Sequence, residues 1–170
     1  LETAALAGPG LKVIVGQQIH TSDGELVGLF LTNAVADGRS AADTAADVHS
    51  QGGVVMVPHP VWGEPPTPQT LAQLRPELDC FEMVVGGAST MRGAITVENA
   101  RLAQRFGSAI TAGSGASSPE DTGSAHLRMR PFESASDFLV ALEDADPVQR
   151  RRGVRPRTQR ERRRPEEPSN

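Results

Sequence analysis

Hydrophobic positions along this chain fall into short runs separated by polar, glycine-rich breaks. Residues 11–15, LKVIV, are apolar and β-branched and predict a strand. "QQIHTS" and "ELVGLFLT" flank Asp23-Gly24, a hairpin signal because glycine tolerates the positive φ a tight turn needs. "SAADTAADVHSQGG" then switches to helical spacing. Ala41, Thr44, Ala45 and Val48 share one face, Ser40 is placed to cap it, and Gly52-Gly53 stop it. "VVMVPHP" reads as a buried strand ending at Pro58. "TPQTLAQLRPEL" reads as a short helix opened by Thr67 with Pro68 at its first position. "DCFEMVV" is a strand, and "AITVENARLAQRFG" a helix through Ile95, Val97, Leu102 and Phe106, stopped by Gly107. "SAIT" is a strand, "AHLRMR" alternates, and "SASDFLVALEDA" is a closing helix capped by Ser134 or Ser136. The opening LETAALAGPG reads as the end of a helix stopped at Gly8-Pro9-Gly10, and lacks the basic and long apolar regions of a secretory signal.

Strands alternating with helices, with continuous apolar runs in the middle, predict mostly parallel strands covered by helices, an α/β sheet or barrel. Composition adds three constraints. Aromatic residues are 4% of 170 and Tyr is absent, so aliphatic side chains must fill the core. Cys80 is the single cysteine, which excludes an intrachain disulfide and favours a cytoplasmic protein. No apolar run is long enough to span a bilayer, so no membrane partner is expected. Charge is unevenly spread. Residues 150–170 hold nine Arg and three Glu, a net +6, so within a total of −4 the remainder carries −10. From Pro147 onward apolar residues nearly vanish. This predicts a folded domain over 1–146 and a disordered Arg-rich tail over 147–170. Such a tail is a solubilising or linker segment, or else attracts nucleic-acid phosphates without sequence preference, having no aromatic residue to stack on bases.

In α/β folds the loops at the carboxyl ends of strands carry function. His59, held between Pro58 and Pro60 after a buried strand, is placed to be a metal ligand or a structural histidine. The small loop Gly113-Ser114-Gly115-Ala116-Ser117 leaves room for a metal or for an anion cradled by backbone N–H groups. Of the other histidines, His20 lies on the hairpin, His49 on a helix facing solvent, and His126 on a late strand.

The order of "VIVGQQIHTSDGELVGLFL", "GGVVMVPHP", "DCFEMVV", "ENARLAQRFGSAITAGSGAS" and "DTGSAHLRMRPFESASDFLVAL" resembles the PHP (polymerase and histidinol phosphatase) superfamily, over about residues 5 to 143. The resemblance implies a distorted (β/α) barrel, incomplete here, whose metals activate water against phosphate esters. It also implies a ligand set. The family's His is retained at His59, Glu25 and Glu82 lie at positions able to serve a divalent metal (manganese, zinc or iron), and His20 and Trp62 line the pocket. The family's acidic and histidine ligands fall on Gln18, Gly115 and Ser117, which supply no charge. Family elements that precede the first motif, including an HxH strand, have no counterpart after Leu1. A degenerate, inactive PHP-like domain without a cofactor is therefore expected. The alternatives are an active metal-dependent phosphoesterase of nucleotide or sugar phosphates once N-terminal residues complete it, and an anion binder acting through the tail. A barrel short of its first strands leaves unpaired edges, so the chain is expected to make an open sheet, to form a homo-oligomer or to be completed by another chain.

Overall fold

The computed structural model describes residues 11–58, 66–85, 101, 104–105, 107–116 and 118–149. The helix end expected over 1–10, His59, Trp62, Ser117, most of the helix expected over 94–107 and the Arg-rich 150–170 lie outside them.

The hairpin forms as the sequence predicts. Strands β1 (Gly16–Thr21) and β2 (Gly24–Leu29) pair antiparallel, with Thr21 opposite Gly24 and Ile19 opposite Leu26. Gly24 takes φ 121°, so the turn residues Ser22 and Asp23 need no positive φ. Helix α1 (Ala41–Ser50) follows, its first turn capped by Ser40 Oγ, which accepts from Asp43 N, and by Asp23 Oδ2, which accepts from Ala41 N at 2.9 Å. Gly52 stops it at φ 72°, with Gly52 N donating to His49 O and Gly53 N to Val48 O. β3 (Val54–Val57), helix α2 (Pro68–Leu74, capped by Thr67), a 3-10 turn (Arg75–Glu77), β4 (Cys80–Val85) and β5 (Ala109–Gly113) come next. A second 3-10 turn (Pro119–Asp121), β6 (Ala125–Arg128), α3 (Ala135–Leu142) and β7 (Asp146–Gln149) complete the described chain. Ser134, not Ser136, caps α3.

The expected incomplete barrel of mostly parallel strands is not what the chain forms. The five-stranded sheet is open and mixed, in the order β1-β2-β3-β4-β5. β1–β2 and β2–β3 are antiparallel; β3–β4 and β4–β5 are parallel. β6 and β7 make a separate antiparallel pair, so three of the five pairings are antiparallel, and no barrel closes among the described residues. The parallel inference holds for β3–β4 and β4–β5 and fails for β1–β2, where the Asp23-Gly24 turn reverses the chain, for β2–β3 and for β6–β7. Apolar periodicity reports burial, not strand direction.

Two further expectations shift. Residues 11–15 are not a strand: β2 ends at Leu29 and Phe30 turns left-handed at φ 59°, and beyond it Leu31 N donates to Val15 O without a ladder forming. Lys12 instead reaches the backbone carbonyls of Phe132 and Glu133 and the Glu133 carboxylate. At the other end, Pro147 to Gln149 belong to β7 rather than to an irregular tail.

The sheet is packed on both faces. α1 and α2 close one face over Ile19, Leu26, Val55, Val57 and Phe81, all buried. α3 closes part of the other over Val54 and Cys80, with Phe138 and Leu142 inserted and a cluster of Phe30, Phe132 and Phe138 beside them. Gly53 marks a tight seam against backbone. A Cβ there would lie 2.8 Å from Val48 O and 2.9 Å from Leu29 O, both backbone atoms that cannot swing away. Gly53→Ala is therefore expected to lower unfolding free energy by about 2 kcal/mol, as overpacking against backbone does. A urea denaturation midpoint unchanged from the parent would contradict this packing.

Candidate functional site

Alternation along the strands sorts four of the expected site residues, Gln18, His20, Glu25 and Glu82, onto one face. Ile19 and Leu26 point into the first core, so Gln18, His20, Glu25 and Val27 point the opposite way. Val27 is opposite Met56, Met56 opposite Cys80, and Glu82 opposite Thr111. Glu25 and Glu82 thus share the face that α3 partly covers, towards the carboxyl ends of β3 to β5. They are separated by β3, roughly 10 Å of backbone for two strand spacings.

On the hairpin three of the expected residues meet. Gln18 Nε2 donates to Glu25 Oε2 at 2.8 Å, and His20 Nδ1 lies 2.9 Å from Glu25 Oε1. Glu25 is only 12% exposed and His20 66%, so the carboxylate is sunk between its partners while the imidazole's far edge faces solvent. The backbone is fixed too. His20 N donates to Asp37 Oδ1, Gly38 N donates to His20 O, and the Gln17 side-chain amide exchanges two hydrogen bonds with Val35 N and O. The 35–39 segment thereby covers part of the outer edge of β1.

Glu82 stands apart from this trio. Its carboxylate lies over Gly113, where a Cβ would come within 2.5 Å of Oε1. The small residue opening the loop after β5 therefore makes room for a glutamate. Thr111, also on this face, donates to Met56 Sδ and Phe81 O. Gly115 is exposed at φ 52° and offers only backbone. His59, Trp62 and Ser117 lie outside the described residues. Among those described, no group of three or more His, Cys, Asp or Glu side chains is arranged to hold a metal. The described donor set does not fit a polynuclear metal centre: Gln18 is neutral, Gly115 has no donor, and both Glu25 oxygens already have partners.

Cys80 is not a nucleophile in waiting. Burial, with the charges of Asp79 and Glu82, pushes its thiol far above the ordinary range. His49, expected to face solvent, is half-buried and bridges two carboxylates, Glu77 at 3.0 Å and Asp79 at 2.9 Å. The hairpin trio could have been anticipated, since the turn fixes the register that sets His20 opposite Glu25. The His49 bridge had no local signal, because its partners lie 28 and 30 residues on.

No family model matches the chain. The uncharacterized protein MJ1587 of Methanocaldococcus jannaschii is 39% identical over 51 residues, 30% of each protein. The crystal structure of PsfC from Pseudomonas syringae PB-5123 superposes with a TM-score of 0.59 at 14% identity, covering 84% of this chain and 62% of PsfC. The chain thus spans less than two thirds of either relative, and the likeness to PsfC is one of fold. No helix among the described residues is long and apolar enough to cross a membrane.

Gln18→Glu tests the trio. It replaces the donor to Glu25 with a second carboxylate and should cost about 1 kcal/mol at neutral pH, a small value because Gln18 is exposed. The loss should shrink as ionic strength is raised, because salt screens repulsion between partly exposed charges. A loss independent of ionic strength, read from thermal melts, would show that the contact is not electrostatic.

Proposed function

We propose that this chain is a non-catalytic relative of the PHP-type metal-dependent phosphoesterases. On this reading it keeps a polar surface at the carboxyl ends of β3 to β5 for binding a ligand or partner, without hydrolysing phosphate esters. The observation that carries the proposal is the state of Glu25: one oxygen is held by Gln18 and the other faces His20. Hydrolysis by this chemistry needs metal ions to lower the pKa of water and to neutralise phosphate charge. A carboxylate bound on both sides by neighbouring side chains is a poor bridging ligand. Gln18 in place of a family glutamate removes a further charge. The net −10 outside residues 150–170 also repels anionic esters unless a cation offsets it. A cytoplasmic location is part of this reading, supported by a lone, buried, unbridged thiol at Cys80.

Metal content decides the matter. The purified chain is incubated with manganese, zinc and iron in turn, gel-filtered and analysed for elements. Below roughly 0.1 metal per chain is the expected result. About one or more tightly held ions per chain, lost in His59→Ala, would overturn the proposal and favour an active phosphoesterase.

A further inference from the structure

His49 lies in the last turn of α1 with both ring nitrogens against carboxylates: Nδ1 3.0 Å from Glu77 Oε2, and Nε2 2.9 Å from Asp79 Oδ2. A neutral imidazole has one N–H and one lone pair. It can donate to one of these carboxylates, and then its lone pair faces the other. Both contacts are attractive only when both nitrogens carry protons. We propose that His49 is a proton-operated clamp. As the imidazolium it pins the α2 to 3-10 connection against the end of α1. On losing its proton it releases Glu77 and lets that connection open.

The partner that leaves is set by the surroundings. Asp79 Oδ2 also accepts from Val55 N at 2.7 Å, and Asp79 N donates to Val55 O, so β3 holds Asp79 in place. Glu77 is 45% exposed against 22% for Asp79, and its short turn has no side-chain cap. The remaining neighbours do not compete. α2 (PQTLAQL) and β3 (VVMV) carry no titratable group. On α1 itself Asp43 and Asp47 pair with Arg39, and Arg75, which opens the 3-10 turn, is exposed. His20 and Glu25 point to the opposite face of the sheet from α1. The carboxyl end of α1 adds a partial negative charge that favours the cation.

Burial works against the charged ring, but the hydrogen bonds and charges of Asp79 and then Glu77 outweigh it and hold the pKa above 6.5. The clamp's stabilisation is therefore complete below pH 6.5 and is lost as pH rises through the raised folded value. The segment it holds, α2 and the 3-10 turn, is part of the chain that leaves the site end of β3 and returns to β4.

Hydrogen exchange of the intact chain, corrected for the intrinsic pH dependence of amides, reads the clamp directly. Between about pH 6 and about pH 8.5, opening of residues 66–79 should rise by on the order of tenfold relative to residues 16–29, what one charge-assisted hydrogen bond supplies at a half-exposed site. His49→Gln should remove this step and leave the segment at its high-pH level. Glu77→Gln should also remove it, because an amide can accept from a protonated ring or donate to a neutral one. Glu77→Gln alters only a half-exposed side chain, so it decides alone if His49→Gln does not fold. A wild-type chain with no step, or a step that survives Glu77→Gln, would overturn the clamp.

Discussion

The register of the first hairpin is the constraint on which the rest of this molecule depends. Side chains on a strand alternate with a period of two, so a slip of one residue would exchange the two faces of β1. Ile19 would leave the core, and Gln18 and His20 would enter it. The turn prevents this through several linked contacts. Thr21 Oγ1 donates to Gly24 O and accepts from Asp23 N, while Gly24 supplies the positive φ. Asp23 has a second task, accepting from Ala41 N at the start of α1. One carboxylate therefore fixes the helix that covers the first core to the turn that sets the second face.

That arrangement explains how much was legible beforehand. The helices at Ala41 and Pro68, their caps at Ser40 and Thr67, and the stop at Gly52-Gly53 follow from local chemistry, which sequence displays directly. The runs VVMV and CFEMVV pair in parallel, and Val54 and Cys80 are buried on one face while Val55, Val57 and Phe81 are buried on the other, as their composition suggests. The overall architecture is not legible in the same way, because strand direction is a property of pairs of distant segments. The β-branched residues of LKVIV suit a strand, but the positive φ of Phe30 breaks the neighbouring strand, and Leu31 N to Val15 O is a contact without a ladder.

The site shows the same division. Which residues share the polar face follows from alternation once the turn is placed, so Gln18, His20 and Glu25 were open to inference. Their bonding state was not, since it depends on which rotamers close the gap between β1 and β2. Glu82 illustrates the opposite case. Its space against Gly113 arises only where β4 and β5 are brought side by side.

In the five-stranded sheet, strand order equals chain order: β1 and β5 are the edges, and each inner strand pairs with the one before it and the one after it. The consequence is kinetic. A sheet built this way grows by adding each newly available strand to an existing edge, so loop-closure entropy is met in small increments. The hairpin and its capped helix, within residues 16–50, need only local contacts and form the natural starting edge. β5 comes last in the chain and pairs only with β4, so it is expected to be the last strand to dock and the first whose loss the rest of the sheet can survive.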